Sequence, residues 1–139
     1  MTEFINILPI KHIDFMIELI SRITSEEALL SLEGDLSNVN VEDIKDTSTE
    51  EYGLHKRNSS FTTDKFIVIP LNSFNRNILS TKIFYSIGLR KNIWHILISL
   101  DNKLLFYSYD CFYDGCYLTN SIEWRHSFMS DMRDLKIIR

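Results

Sequence analysis

The sequence predicts an α+β fold, a mostly antiparallel sheet with helices packed on it. Three observations carry that reading. Two runs rich in β-branched and aromatic residues, 93–100 and 103–109, are separated only by Asp101-Asn102, the signature of a hairpin. Three other stretches repeat apolar residues every three or four positions, the period of a helix. The chain has 139 residues with only 4 Gly and 2 Pro, which fits a single domain over 1–139 and argues against disorder or tight-turned β repeats.

Residues 10–24 form the predicted N-terminal helix. Ile13, Met16, Ile17, Ile20 and Ile23 line one face, Phe15 and Leu19 widen it, and Lys11, Asp14, Glu18 and Arg22 take the other. Pro9 suits the helix start, where its missing N–H costs nothing. Over residues 28–36 two patterns compete. Thr24 and Glu27 have capping-box spacing, yet Leu30, Leu32, Gly34 and Leu36 alternate with Ser31, Glu33 and Asp35. The alternation favours a strand with an acidic outer side.

Residues 37–64 are polar and without apolar period, a long connection of the kind that is mobile or functional. Residues 65–71 read as a strand stopped by Pro70. A middle helix is predicted over 73–87, from Phe74, Ile78, Leu79, Ile83 and Ile87, with Gly88 at its end; a strand at 82–88 is the alternative. The hairpin 93–109 follows. Asp114-Gly115 turns a second one, 107–119, whose last strand is 116–119. A C-terminal helix over 121–135 carries Trp124, Phe128, Met132 and Leu135 on one stripe, with Asn120 or Ser121 as its cap.

Several function classes are disfavoured. No run approaches the ~18 apolar residues of a membrane span, and residues 1–9 lack the basic start of a secretory signal. The expected compartment is the cytoplasm, with no membrane partner. There Cys111 and Cys116 stay reduced, although their spacing around a turn would let them meet. No second Cys/His pair completes a zinc site, no acidic loop matches a calcium hand, and no Gly-rich phosphate loop is present. No cofactor or metal is expected.

Of the four histidines, His95 stands out because it lies inside a strand, alternating with Ile93 and Leu97. The ordinary role there is structural. Paired with Asp110 on the next strand it would be a base and its orienting carboxylate. No convincing nucleophile accompanies the pair, Ser99 and Ser108 being candidates by proximity alone, so a small His95/Asp110 enzyme is a secondary reading. The aromatic run 106–113 has Asp101, Asp110 and Asp114 around it against Lys103 alone, which argues for packing and against nucleic acid.

Charge is the strongest remaining signal. Residues 1–52 hold 12 acids and 3 bases, while 53–139 hold 7 acids and 12 bases. Between Glu26 and Glu51 nine acids face one base, Lys45. Clustered carboxylates of this kind steer a basic partner to its docking site. Glu33, Asp35, Glu42, Asp43 and Asp46 are the candidate contacts, with Tyr52 as an aromatic anchor.

Three short blocks carry a resemblance: Leu32-Glu33-Gly34-Asp35-Leu36-Ser37, Ile93 to Ile98, and Phe106 to Phe112 around Tyr109-Asp110. They resemble small bacterial immunity proteins, of the kind encoded beside polymorphic or contact-dependent toxins. That resemblance implies a cytoplasmic toxin inhibitor with no enzymatic activity, binding a cognate basic, nuclease-like toxin domain. It implies no particular site residues. A homodimeric structural or regulatory subunit, using an exposed sheet face, is the third reading.

Overall fold

A computed structural model describes residues 3–58 and 65–139. It is α+β, with six strands in one antiparallel sheet. The strands are β1 (Phe4–Ile7), β2 (Leu29–Gly34), β3 (Lys65–Pro70), β4 (Ile93–Leu100), β5 (Lys103–Ser108) and β6 (Cys116–Thr119). Across the sheet they run β1-β6-β5-β4-β2-β3. Both predicted hairpins form. Asp101 and Asn102 adopt left-handed φ of 52° and 57°, the backbone of a two-residue turn that matches strand twist.

One face of the sheet carries the core. Leu30, Leu32, Ile67, Ile69, Ile96, Ile98, Phe106 and Leu118 project from it and are all nearly inaccessible. Against them pack α1 (His12–Arg22), the middle helix and α4 (Arg125–Asp134). The expected apolar stripe of α1 is rotated slightly: Phe15, Met16, Leu19 and Ile20 are buried at its centre, with Ile13 and Ile17 at its margin. In α4, Phe128 and Met132 enter the core as expected, joined by Met129, whereas Leu135 is 58% exposed. The helix ends at Asp134, so Leu135 falls outside its periodic stripe.

The middle helix is continuous but irregular. α2 (Ser73–Ile78) passes through a π-helical segment, Leu79–Ile83, into α3 (Phe84–Ser86). The wider turn shifts the apolar period enough to bury Leu79, Ile83, Phe84 and Ile87 together. Asn72 caps the start, its side chain accepting from Asn75 N–H at 2.8 Å. No strand forms at 82–88.

β1 is a strand the sequence reading missed. Its four residues pair with β6 from Phe4↔Thr119 to Ile7↔Cys116, too short a run to show a period. Where β2 meets β4 the register shifts between Glu33 and Gly34. Trp94 is passed over, so Ile93 joins the core while His95 faces the opposite side of the sheet with Glu33. Gly34 (φ 152°) is required at this shift, because a Cβ there would strike the carbonyl oxygen of Asn92.

No helix among the described residues is long and apolar enough to cross a membrane. Cys111 and Cys116 are both free thiols. Burial pushes the Cys116 thiol far up, which leaves it inert.

Candidate functional site

The second face of the sheet is covered in part by the long connection, and that covering builds the candidate site. Two polar pins hold the segment down. The first is Asn75, fully buried at the start of the middle helix. Its side-chain oxygen accepts from Lys45 N–H at 2.8 Å, and its amide nitrogen donates to the Lys45 and Pro70 carbonyls at 2.8 and 2.9 Å. Every polar atom of that amide is used.

The second pin is His55. Its ring lies between β2 and β4, with Nδ1 2.7 Å from Ser31 Oγ and Nε2 2.6 Å from Ser99 Oγ. All three residues are buried. One ring nitrogen donates and the other accepts, and the rotatable hydroxyls suit either tautomer. Burial holds the imidazole down at about 4, so it is neutral near pH 7. The segment also pairs with itself, Tyr52 with His55, and with the sheet edge, Ser48 with Val68.

Fixed this way, the segment presents Tyr52 to solvent at 67% exposure. Two adjoining depressions meet at Glu27, Leu29 and Tyr52, with volumes of about 490 and 360 Å3. Gly53, His55, Ser99, Asp101 and Asn102 complete the first. Asp46, Ser48, Glu50 and Glu51 help line the second. Five carboxylates from three separate stretches therefore surround one tyrosine, and among the described residues no Lys or Arg lines either depression. Chemically this is a shelf for a cationic side chain, with an amphipathic ring to pack beside it.

The structure sorts the sequence candidates. Asp46 and Tyr52 belong to the shelf. Asp35, Glu42 and Asp43 line neither depression. Glu33 must be corrected. Read as outward on β2, it is only 2% exposed, and its carboxylate accepts from Asn58 N–H at 2.9 Å. The strand alternates as expected, but the connection covers the outer face, so the outward position is interior.

His95 and Asp110 are not joined. Asp110 is solvent-exposed and opens a left-handed turn, Asp110, Cys111 and Phe112 having φ of 52°, 56° and 64°. His95 packs edge-on against Tyr109, ring centroids 4.9 Å apart, and its buried Nδ1 has no hydrogen-bond partner among the described residues. The cavity beside it measures about 10 Å3, at the lower limit for one water and far below a substrate.

Sequence reasoning missed His55 and Asp101 at this site, and counted Glu27, Glu50 and Glu51 in the acidic stretch without choosing them as contacts. One signal pointed toward His55. Ser31 and Ser99 each interrupt an otherwise apolar strand, and buried hydroxyls on adjacent strands demand a polar partner. Among the described residues no group of three His, Cys, Asp or Glu is placed to hold a metal ion. Compared with known proteins, the chain matches no family model, no curated protein and no solved structure, so its functional reading rests on this geometry.

Proposed function

We propose that this is an immunity-type protein that neutralises a basic toxin domain in the cytoplasm by stoichiometric binding at the acidic shelf. The observation that supports it most is the convergence of Glu27, Asp46, Glu50, Glu51 and Asp101 around exposed Tyr52, with no Lys or Arg among the described residues that line either depression. Such a surface accelerates encounter with a basic partner, and the central tyrosine gives the complex an anchor that excludes water. The two buried pins also favour binding, since an ordered segment loses little further entropy on docking.

The test has two arms. The partner is captured from host lysate at low salt, and its growth inhibition is measured when it is expressed alone and with this protein. Co-expression should restore growth, and a Glu27→Lys, Glu50→Lys double variant should weaken capture in a salt-dependent way. A partner harmless by itself overturns the immunity reading. Capture unchanged by the charge reversal overturns the shelf as the interface.

A second reading has an observation of its own. On the same sheet face, Phe4, Tyr107 and Tyr117 are half-buried and Tyr109 is 40% exposed. Tyr107 stacks on Tyr117 with centroids 4.8 Å apart. A homodimer closing over this aromatic strip would bury it. Light scattering that shows a monomer at all concentrations removes that reading.

A further inference from the structure

Away from the shelf, a second pair of depressions has the opposite charge. The larger, about 620 Å3, is lined by Lys11, Ile13, Tyr85, Leu89, Arg90 and Lys91, with His12, Asp14 and Gly88. The smaller, about 360 Å3, shares His12 and Arg90 with it and adds Phe112, Tyr113 and Arg139. Four permanent cations thus gather from the start of α1, the turn before β4 and the last described residue. Among the described residues of the lining, one carboxylate side chain is present, Asp14.

Among the described residues these cations take part in no ion pair. Among the described residues the ion pair found is Arg22 with Asp131, at 2.8 Å; none of Lys11, Arg90, Lys91 and Arg139 has a carboxylate within reach. Four cations against one carboxylate side chain leave the cleft with an excess of positive charge, which draws an anion to it.

The walls are not uniformly polar. Leu89 is buried at the floor, and Tyr85 stands at the rim at 61% exposure. On the other side His12 meets Phe112 edge-on, with centroids 5.0 Å apart. Burial first, then the Arg90 charge, holds His12 below the ordinary imidazole range. It therefore enters the cleft as a neutral hydrogen-bonding group, and the positive charge belongs to the lysines and arginines.

We infer that this cleft binds a small phosphate ester bearing a flat aromatic group, of which a nucleotide is the common kind. Its phosphates would sit at Arg90, where the two depressions meet, and its ring would lie along Tyr85, Leu89 and Ile13. The combined volume is in the range of small-ligand sites. Guanidinium groups bind phosphate through paired, charge-assisted hydrogen bonds, and an exposed tyrosine offers a face for the ring. No Gly-rich loop is needed, because side chains supply the charge. This site is separate from the acidic shelf and stands whether or not the shelf binds a toxin.

The experiment titrates the full chain with ADP and, separately, with inorganic pyrophosphate at low salt, followed by calorimetry and by amide NMR shifts. Saturable ADP binding is expected, tighter than pyrophosphate. Arg90→Glu should weaken both probes by about tenfold or more. Tyr85→Ala should weaken ADP by about fivefold and leave pyrophosphate unchanged. Arg90 and Tyr85 are exposed, so both variants should keep the parent melting temperature, and Lys91→Glu provides a second reversal if Arg90→Glu fails to fold. No saturable binding of either probe at millimolar concentration overturns the site. So does ADP binding indifferent to both charge reversals. Pyrophosphate binding as tight as ADP, with Tyr85→Ala silent, overturns the assignment of an aromatic ligand.

Discussion

At one end of β4 the chain turns through Asp101 into the acidic shelf; at the other it arrives from Arg90 and Lys91 out of the basic cleft. The strand is eight residues long, so these turns lie about 25 Å apart. They are built differently. The cleft is walled by the ends of regular elements, which the core holds in place. The shelf hangs on a connection with little regular structure, fixed by Asn75, His55 and a few backbone pairs. A site of the first kind survives almost any surface substitution, whereas one of the second kind can be lost through a single buried polar residue.

The sharpest way to break that contrast is His55→Ala. It strands the Ser31 and Ser99 hydroxyls and leaves a void, at a cost of about 3–4 kcal/mol. Hydrogen exchange should quicken across residues 46–56 and stay slow in the buried body of α1, from Met16 to Ile20. Equal loss of protection at both ends would show that the connection and the core unfold as one unit.

Acidification addresses the same pin without a mutation. The folded imidazole titrates at about 4, against about 6.5 for an unfolded histidine. Between those values the unfolded chain binds the extra proton. The His55 contribution is therefore complete above pH 6.5 and declines as pH falls toward 4, by about 3 kcal/mol. Denaturant melts across this window should show the slope in the parent and lose it in His55→Gln.

Asn75→Ala comes next, at about 2–3 kcal/mol, because it leaves the Lys45 and Pro70 backbone groups without partners. Chemical denaturation reads it directly. It should loosen the segment around Lys45 more than the segment around His55. The smallest effect on stability is the Glu27→Lys, Glu50→Lys double reversal, within about 0.5 kcal/mol. An unchanged midpoint there would show that the shelf's charges serve binding and not folding.

What could be read from the chain follows the same division. Local patterns announced local structure: Asp101-Asn102 and Asp114-Gly115 gave their hairpins, and the apolar periods of 10–24 and 73–87 gave their helices within a few residues. The site was legible only as charge. Nothing near His55 reveals that its partners lie 24 and 44 positions away, and nothing near Glu33 shows that a distant segment folds over it. Glu27, Asp46, Glu50 and Glu51 were legible as members of the acidic stretch, and Tyr52 as its aromatic neighbour. Asp101 was not, because the fold brings it in from a distant hairpin turn.

The pairing of Ser48 with Val68 has one more consequence. β3 is an outer strand of the sheet, and its run Phe66-Ile67-Val68-Ile69 is fully buried. Ser48 donates to the Val68 carbonyl at 3.0 Å and accepts from its N–H at 2.7 Å, so it occupies backbone groups that another chain's strand would otherwise use. Were the connection to lift, a bare β-branched border would face solvent, the kind of edge on which chains add to one another and come out of solution. The same few hydrogen bonds that shape a docking surface thus also guard against self-assembly, and conditions that release His55 should make the protein cloudy well before they unfold it.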